Sequence, residues 1–242
     1  LKDEKGLAVS YAQLAYVHEM RFEYNTAYQI TIEALEILEE LGMTQNISRA
    51  LLDLGLYSYL LLDFKTAKER LNRSLEISES INDTPAIGKG YQTLGEINYE
   101  QEEWSNALDN FQKALENYQL AEFKAAIEEV NQQLGLTYIM DGNYKESRRV
   151  LAHALDLYER SDSTDDIMFI KLYIYKLDAI ENIINKKELE KFINGFDQLE
   201  QYKNNDEFGA KVCFEISQIF SIMENSKKSD QYQKIAKKKI LN

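Results

Sequence analysis

Four segments of this chain carry one pattern in register at a spacing of 40 residues. Leu14, Leu54, Leu94 and Leu134 open it, each followed by a small residue: Ala15, Gly55, Gly95 and Gly135. Ten residues after each leucine stands an aromatic (Tyr24, Phe64, Trp104, Tyr144), and three further on a small residue (Ala27, Ala67, Ala107, Ser147). Ala34, Ser74, Ala114 and Ala154 close the pattern, each followed by a leucine (Leu35, Leu75, Leu115, Leu155). Repetition at this period restricts the chain to stacked supersecondary units, none of which buries its apolar face alone.

The units read as helical. One proline and ten glycines in 242 residues leave little material for strand-and-turn architectures. In the third copy, Gly88–Glu100 predicts a helix A and Ser105–Leu120 a helix B, joined by the polar turn Gln101-Glu102-Glu103. Tyr91, Leu94 and Ile97 fall on one stripe of A; Ala107, Phe111, Ala114 and Tyr118 fall on one stripe of B. So short a turn makes the two helices antiparallel. Gly95 and Ala107 are expected to face each other, where a larger side chain would wedge the backbones apart. Connections between repeats are expected to be longer. They carry a glycine C-cap in Leu41-Gly42 and an N-cap with a following proline in Asp83-Thr84-Pro85; Asp141-Gly142-Asn143 reads as a sharp A-to-B turn. Beyond residue 160 the pattern decays. A polar break spans Ser161–Asp166, and helices are expected over Ile167–Ile184, Glu188–Tyr202, Phe208–Met223 and Lys227–Ile240.

Charge and chemistry narrow the function. Residues 1–166 hold 15 Lys+Arg against 30 Asp+Glu, a net −15, whereas residues 167–242 hold 13 against 11, a net +2. Phosphate contacts require a basic surface, so the body is not expected to touch nucleic acid. No apolar run is long enough for a membrane span and no signal peptide opens the chain. The chain starts at Leu1 rather than Met and reads as a piece of a longer protein. Cys213 stands alone in an apolar run, so it reads as a small buried hydrophobe and no disulfide can form. A reducing compartment, hence the cytoplasm, fits; a periplasmic domain without disulfides fits too. His18 and His153 lie in different repeats, which argues against a shared metal site. Gly88-Lys89-Gly90 with Gly95 lacks phosphate-loop spacing and a preceding strand. No nucleophile is paired with a base. The chain is therefore expected to be non-enzymatic, without metal or cofactor.

With Tyr91, Leu94-Gly95, Ala107, Phe111 and Ala114 in these places, the third copy resembles the tetratricopeptide repeat (TPR) family. The other copies lapse at one column, where Thr31, Leu71 and Leu151 replace the aromatic, and the period exceeds the family's usual length of about 34. The resemblance is clear over 8–160. It implies one solenoid over 1–242, with 161–242 as degenerate and capping repeats: an all-α, right-handed superhelix of about six antiparallel helix pairs. Ligands of the family usually lie on the concave face lined by helix A. The corresponding positions are Val9, Ala12, Tyr16 and Glu19; Arg49, Leu52, Leu56 and Tyr59; Lys89, Gln92, Glu96 and Tyr99; Glu129, Gln132, Leu136 and Ile139. Such a face suits a peptide, and Arg49, Tyr59, Lys89, Gln92, Glu96, Tyr99 and Gln132 are its expected contacts. The clamp for a terminal carboxylate found in chaperone-binding members is missing, since Ala12 and Tyr16 stand in its place.

What this implies is a peptide- or protein-binding module of a bacterial regulator, similar to TPR receptors of Gram-positive peptide pheromones. A TPR array beside a histidine kinase or diguanylate cyclase, and a passive scaffold, are the alternatives. The lysine-rich last helix, with Ile235, Ala236, Ile240 and Leu241 near one side, serves either as a cap or as the contact of a homodimer.

Overall fold

The structure, a computed structural model, describes residues 4–161, 164–198 and 206–240. Among these the chain forms twelve helices and no strand. They are α1 (Glu4–Glu19), α2 (Tyr24–Glu40), α3 (Thr44–Leu60), α4 (Phe64–Ser80), α5 (Thr84–Glu100), α6 (Trp104–Leu120), α7 (Lys124–Met140) and α8 (Tyr144–Ser161), then α9 (Thr164–Ile180), α10 (Lys186–Gln198), α11 (Asp206–Ile222) and α12 (Ser226–Ile240).

The period of 40 is two equal halves. From α2 to α7 each helix has 17 residues and each connection three. The expected longer links between repeats are absent; the extra length over the family's usual repeat lies wholly in the helices. Helix A of the third copy starts at Thr84, four residues ahead of the expected Gly88, because the Asp83 side chain accepts the Ala86 N–H and Pro85 sits in the first turn.

From α2 to α8 the turns are built alike. Their middle residue is left-handed, as in Gly42 (φ 62°), Leu62 (φ 64°), Asn82 (φ 54°), Glu102 (φ 59°) and Gly142 (φ 78°). In the α3–α4 turn the Leu62 N–H donates to Tyr59 O and the Asp63 N–H to Ser58 O, a Schellman closure. Asp63 then caps α4 by accepting the Thr66 N–H. One residue so ends one helix and starts the next.

The chain divides into two compact units, Leu1–Thr137 and Tyr138–Asn242, with the boundary inside α7. In the first unit α1/α2, α3/α4 and α5/α6 pack as antiparallel pairs, α2 packs on α3, α4 on α5, and the first helices α3 and α5 touch. Its core holds Leu51, Leu54, Leu71, Ile97 and Phe111, all essentially without exposed surface.

The large side chain nearest to Gly95 is Phe111. A Cβ there would lie 2.6 Å from the ring of Phe111, just as one on Gly55 would lie 2.6 Å from Leu71. The glycine column is thus the seat of the large residue sixteen positions later. Gly88 seats Tyr118 in the same way, with its ring 2.8 Å from where a Cβ would be. The leucine column is buried at Leu54, Leu94 and Leu134, but Leu14 is 44% exposed, since no second helix precedes α1 among the described residues.

In the second unit α8 packs on α9, α9 on α11 and α11 on α12. One cluster joins Met168, Leu172, Leu189, Ile193, Val212, Ile216 and Ile219, and Cys213 is buried within it, as its apolar setting predicts. The Tyr232 ring stacks on Phe220 and Ala236 is buried, so α12 turns its small face onto α11, while Ile235 is exposed. Residues 199–202 of the helix expected over Glu188–Tyr202, the Ile240 side chain and Leu241 lie outside the described residues.

Candidate functional site

Among the cavities of the first unit, two are lined by the first helices of successive pairs. One of about 330 Å³ is lined by Tyr59 of α3, Glu96, Tyr99 and Glu100 of α5, Phe111 of α6, and Gln133 and Leu136 of α7. Phe111 forms its apolar floor, seated on Gly95. Aromatic contacts hold the two tyrosines: Tyr59 packs beside Phe64, and Tyr99 meets Trp104 edge to face at 5.2 Å. Hence Phe64 and Trp104 of the aromatic column brace the ends of the helices that precede them.

The acids of this cavity are ordered by amides. Glu96 Oε1 accepts from Gln133 Nε2 at 2.8 Å and from Gln92 Nε2 at 3.2 Å. Burial raises the Glu96 carboxyl above the usual range, against the pull of Lys89 and these two hydrogen bonds. Burial, with Glu96 and Glu100 nearby, pushes the Tyr59 phenol up to about 12, so it stays a neutral hydrogen-bonding group.

A larger cavity of about 520 Å³ lies between α1, α2 and α3, where Ala8, Ala12 and Tyr16 meet Thr31, Ala34, Arg49 and Asp53. It opens where the repeat lapses. Thr31 stands in the column that holds Leu71 and Phe111 in the next two pairs, and Ala12 in the column of Leu52 and Gln92. The Asp53 carboxyl on its wall is raised to about 7, first by burial, then by the charge of Glu19, with Arg49 pulling the other way. Glu19 itself accepts the Tyr57 hydroxyl at 2.9 Å.

Residues 86–160 match the tetratricopeptide repeat. Those residues carry tetratricopeptide repeats. Solved TPR-like structures agree over nearly the whole length of the chain. The apo form of RapI superposes with a TM-score of 0.77 at 20% identity, covering 99% of this chain and 86% of that one. Aspartyl phosphate phosphatase F from Bacillus subtilis also reaches 0.77, at 11% identity, over 99% of this chain and 61% of that one. A Rap protein complexed with Competence and Sporulation Factor reaches 0.67, at 13% identity, over 99% and 66%. At these identities the likeness is one of fold. No curated protein matches the sequence.

The TPR register places the expected ligand contacts unevenly. Tyr59, Glu96 and Tyr99 do come together around the smaller cavity. Lys89 is partly buried and acts on Glu96 through its charge. Arg49 belongs to the other cavity, with its side chain 60% exposed and 3.6 Å from Asp83. Gln92 is a correction: it is 1% exposed, accepts the Tyr118 hydroxyl at 2.8 Å and donates to Glu96 and Gln133, so it supports the wall from behind. At the cavity itself stands Gln133, one residue from the expected Gln132. The sequence pattern does not single out Gln133, Glu100 or Phe111, and of the α1–α3 cavity it marks Val9, Ala12, Tyr16 and Arg49 but not Thr31 or Asp53. The lapse at Thr31 was the signal for the cavity itself.

Proposed function

We propose that the chain is a non-enzymatic, cytoplasmic regulatory module that binds a peptide or protein segment along its first helices, in the manner of a peptide receptor. One observation carries this reading. The cavity at Tyr59, Glu96, Tyr99 and Gln133 draws its polar wall from the first helices of three successive repeats and its apolar floor from Phe111. An extended peptide needs that combination: amides and carboxylates for its backbone, aromatic and apolar ground for its side chains. Among the described residues no helix is long and apolar enough to cross a membrane. The neighbour solved with Competence and Sporulation Factor supports the reading through its fold.

Trp104, the only tryptophan, is a built-in reporter, because it touches Tyr99 on the cavity wall. Peptides selected from a random library against the chain are expected to shift its emission. Leu136→Glu, which puts a charge on the cavity wall, should weaken those peptides by roughly tenfold or more while the thermal midpoint holds. Selected peptides that bind the variant as tightly as the wild type, with Trp104 emission unmoved, defeat the proposal.

A further inference from the structure

We propose that the cavity between α1, α2 and α3 is a second ligand site, one that takes a ligand carrying an ammonium or guanidinium group on an apolar body. Ala12, Tyr16 and Arg49 belong to the register of the first-helix ligand face, so the proposal extends the reading given for the smaller cavity to a separate set of residues.

The void belongs to the fold. Where the second and third pairs set Leu71 and Phe111 against glycines, the first pair sets Thr31 in the register of Ala15, and the Thr31 hydroxyl is satisfied by donating to Ala27 O at 2.9 Å. The shortened column, with Ala8, Ala12, Ala34 and Ala50, leaves about 520 Å³ with a largely aliphatic surface. That volume is in the range of small-molecule and side-chain pockets.

Its polar lining is Gln13, Thr31, Asn46, Arg49 and Asp53, and Asp53 is the one carboxylate among them. Among the described residues Asp53 makes no hydrogen bond and no ion pair, although it is partly buried on the cavity wall. The charges that act on it are Glu19 of α1 and Arg49 of its own helix, with Tyr57 beside Glu19. Arg49 reaches towards Asp83 and solvent, and so does not pair with Asp53. Glu19 adds a second negative charge. With Arg49 turned towards Asp83, the carboxylates of Asp53 and Glu19 outweigh it on this wall and disfavour an anion, and a neutral apolar ligand would cover the Asp53 carboxylate with nothing in exchange. A cation on an apolar body answers both features: it pairs with Asp53, and the alanines and the Tyr16 ring, 59% exposed at the cavity, cover the rest.

Amide-shift NMR on the full chain tests this with 3-methylbutylamine, its uncharged analogue 3-methylbutanol, and the blocked dipeptide acetyl-leucyl-lysinamide. The amine is expected to move residues of α1–α3 and to bind roughly tenfold or more tightly than the alcohol. Asp53→Asn should weaken amine binding by a similar factor. Ala12→Leu, which installs the residue that Leu52 supplies one repeat later, should block entry while the spectrum stays dispersed. If the dipeptide binds more tightly than the amine, the site serves peptides; the reverse order points to free amines. Equal binding of amine and alcohol, or amine binding unchanged in both variants, overturns the proposal.

Discussion

Gly95 shows how a single position governs packing here. Its missing Cβ is the space that Phe111 occupies. Gly95→Ala should therefore cost about 1–3 kcal/mol by overpacking, and Gly95→Leu more. Pairing Gly95→Ala with Phe111→Thr copies the Ala15–Thr31 arrangement of the first repeat. A double-mutant cycle followed by urea melts should then show a combined loss smaller than the sum of the single losses; simple additivity would break the assigned contact. Such compensation is written along the chain. Ala8, Ser48 and Gly88 shrink or keep small as Leu38, Ser78 and Tyr118 change, with the Ser48 hydroxyl bonded to Ser74 and Ser78 and the Tyr118 ring lying on Gly88. The glycine column was legible from the repeat alone. That Phe111 fills the space was not, because register places Ala107 and Phe111 on the same face of one helix, and only packing shows that the Phe111 ring lies nearest to the missing Cβ.

Asp53 makes a second prediction at this scale. Its carboxyl sits at about 7 in the folded chain, against an ordinary value near 3.9 when unfolded. A raised carboxyl pKa means that folding favours the protonated form. Asp53 thus costs nothing below about pH 4, costs stability progressively between about pH 4 and 7, and costs a constant amount above. Asp53→Asn removes that cost. The variant should be more stable than wild type by about 1–2 kcal/mol at pH 8 and equal to it near pH 4. An equal gain at both pH values in denaturant melts would place the effect elsewhere than in this ionisation.

The helices and their turns repeat as strictly as the columns. The turns needed no glycine signal: Leu62, Glu102 and Glu122 hold the left-handed position that Gly42 and Gly142 hold elsewhere. That is why the connections between repeats looked longer from sequence than they are; the stop signal was sought in glycine and proline, and the helix length set by stacking overrode it. Two glycines that meet no neighbouring atom separate backbone from packing effects. Gly42→Ala forces an L-residue to φ 62° and should cost about 1 kcal/mol. Gly195→Ala, in the exposed interior of α10, should gain about 0.5–1 kcal/mol. Thermal midpoints that move in the same direction for both would contradict the turn geometry.

At the scale of the molecule, the repeat announced an all-helical stack and the face on which Tyr59, Glu96 and Tyr99 converge. It could not announce the division at Thr137, because the four-copy pattern runs on in sequence through α7 and α8. Nor could it separate wall from support. Gln92 and Gln133 are both amides near one face, and only burial shows that the first holds the second and Glu96 in place. The account rests on a ligand that lies along the first helices. Hydrogen–deuterium exchange on the full chain, with and without a peptide selected by binding, tests this most directly. Slowed exchange concentrated in α3, α5 and residues 124–137 of α7 is the predicted result. Slowing confined to α2, α4 and α6, or to residues 206–240, would contradict it.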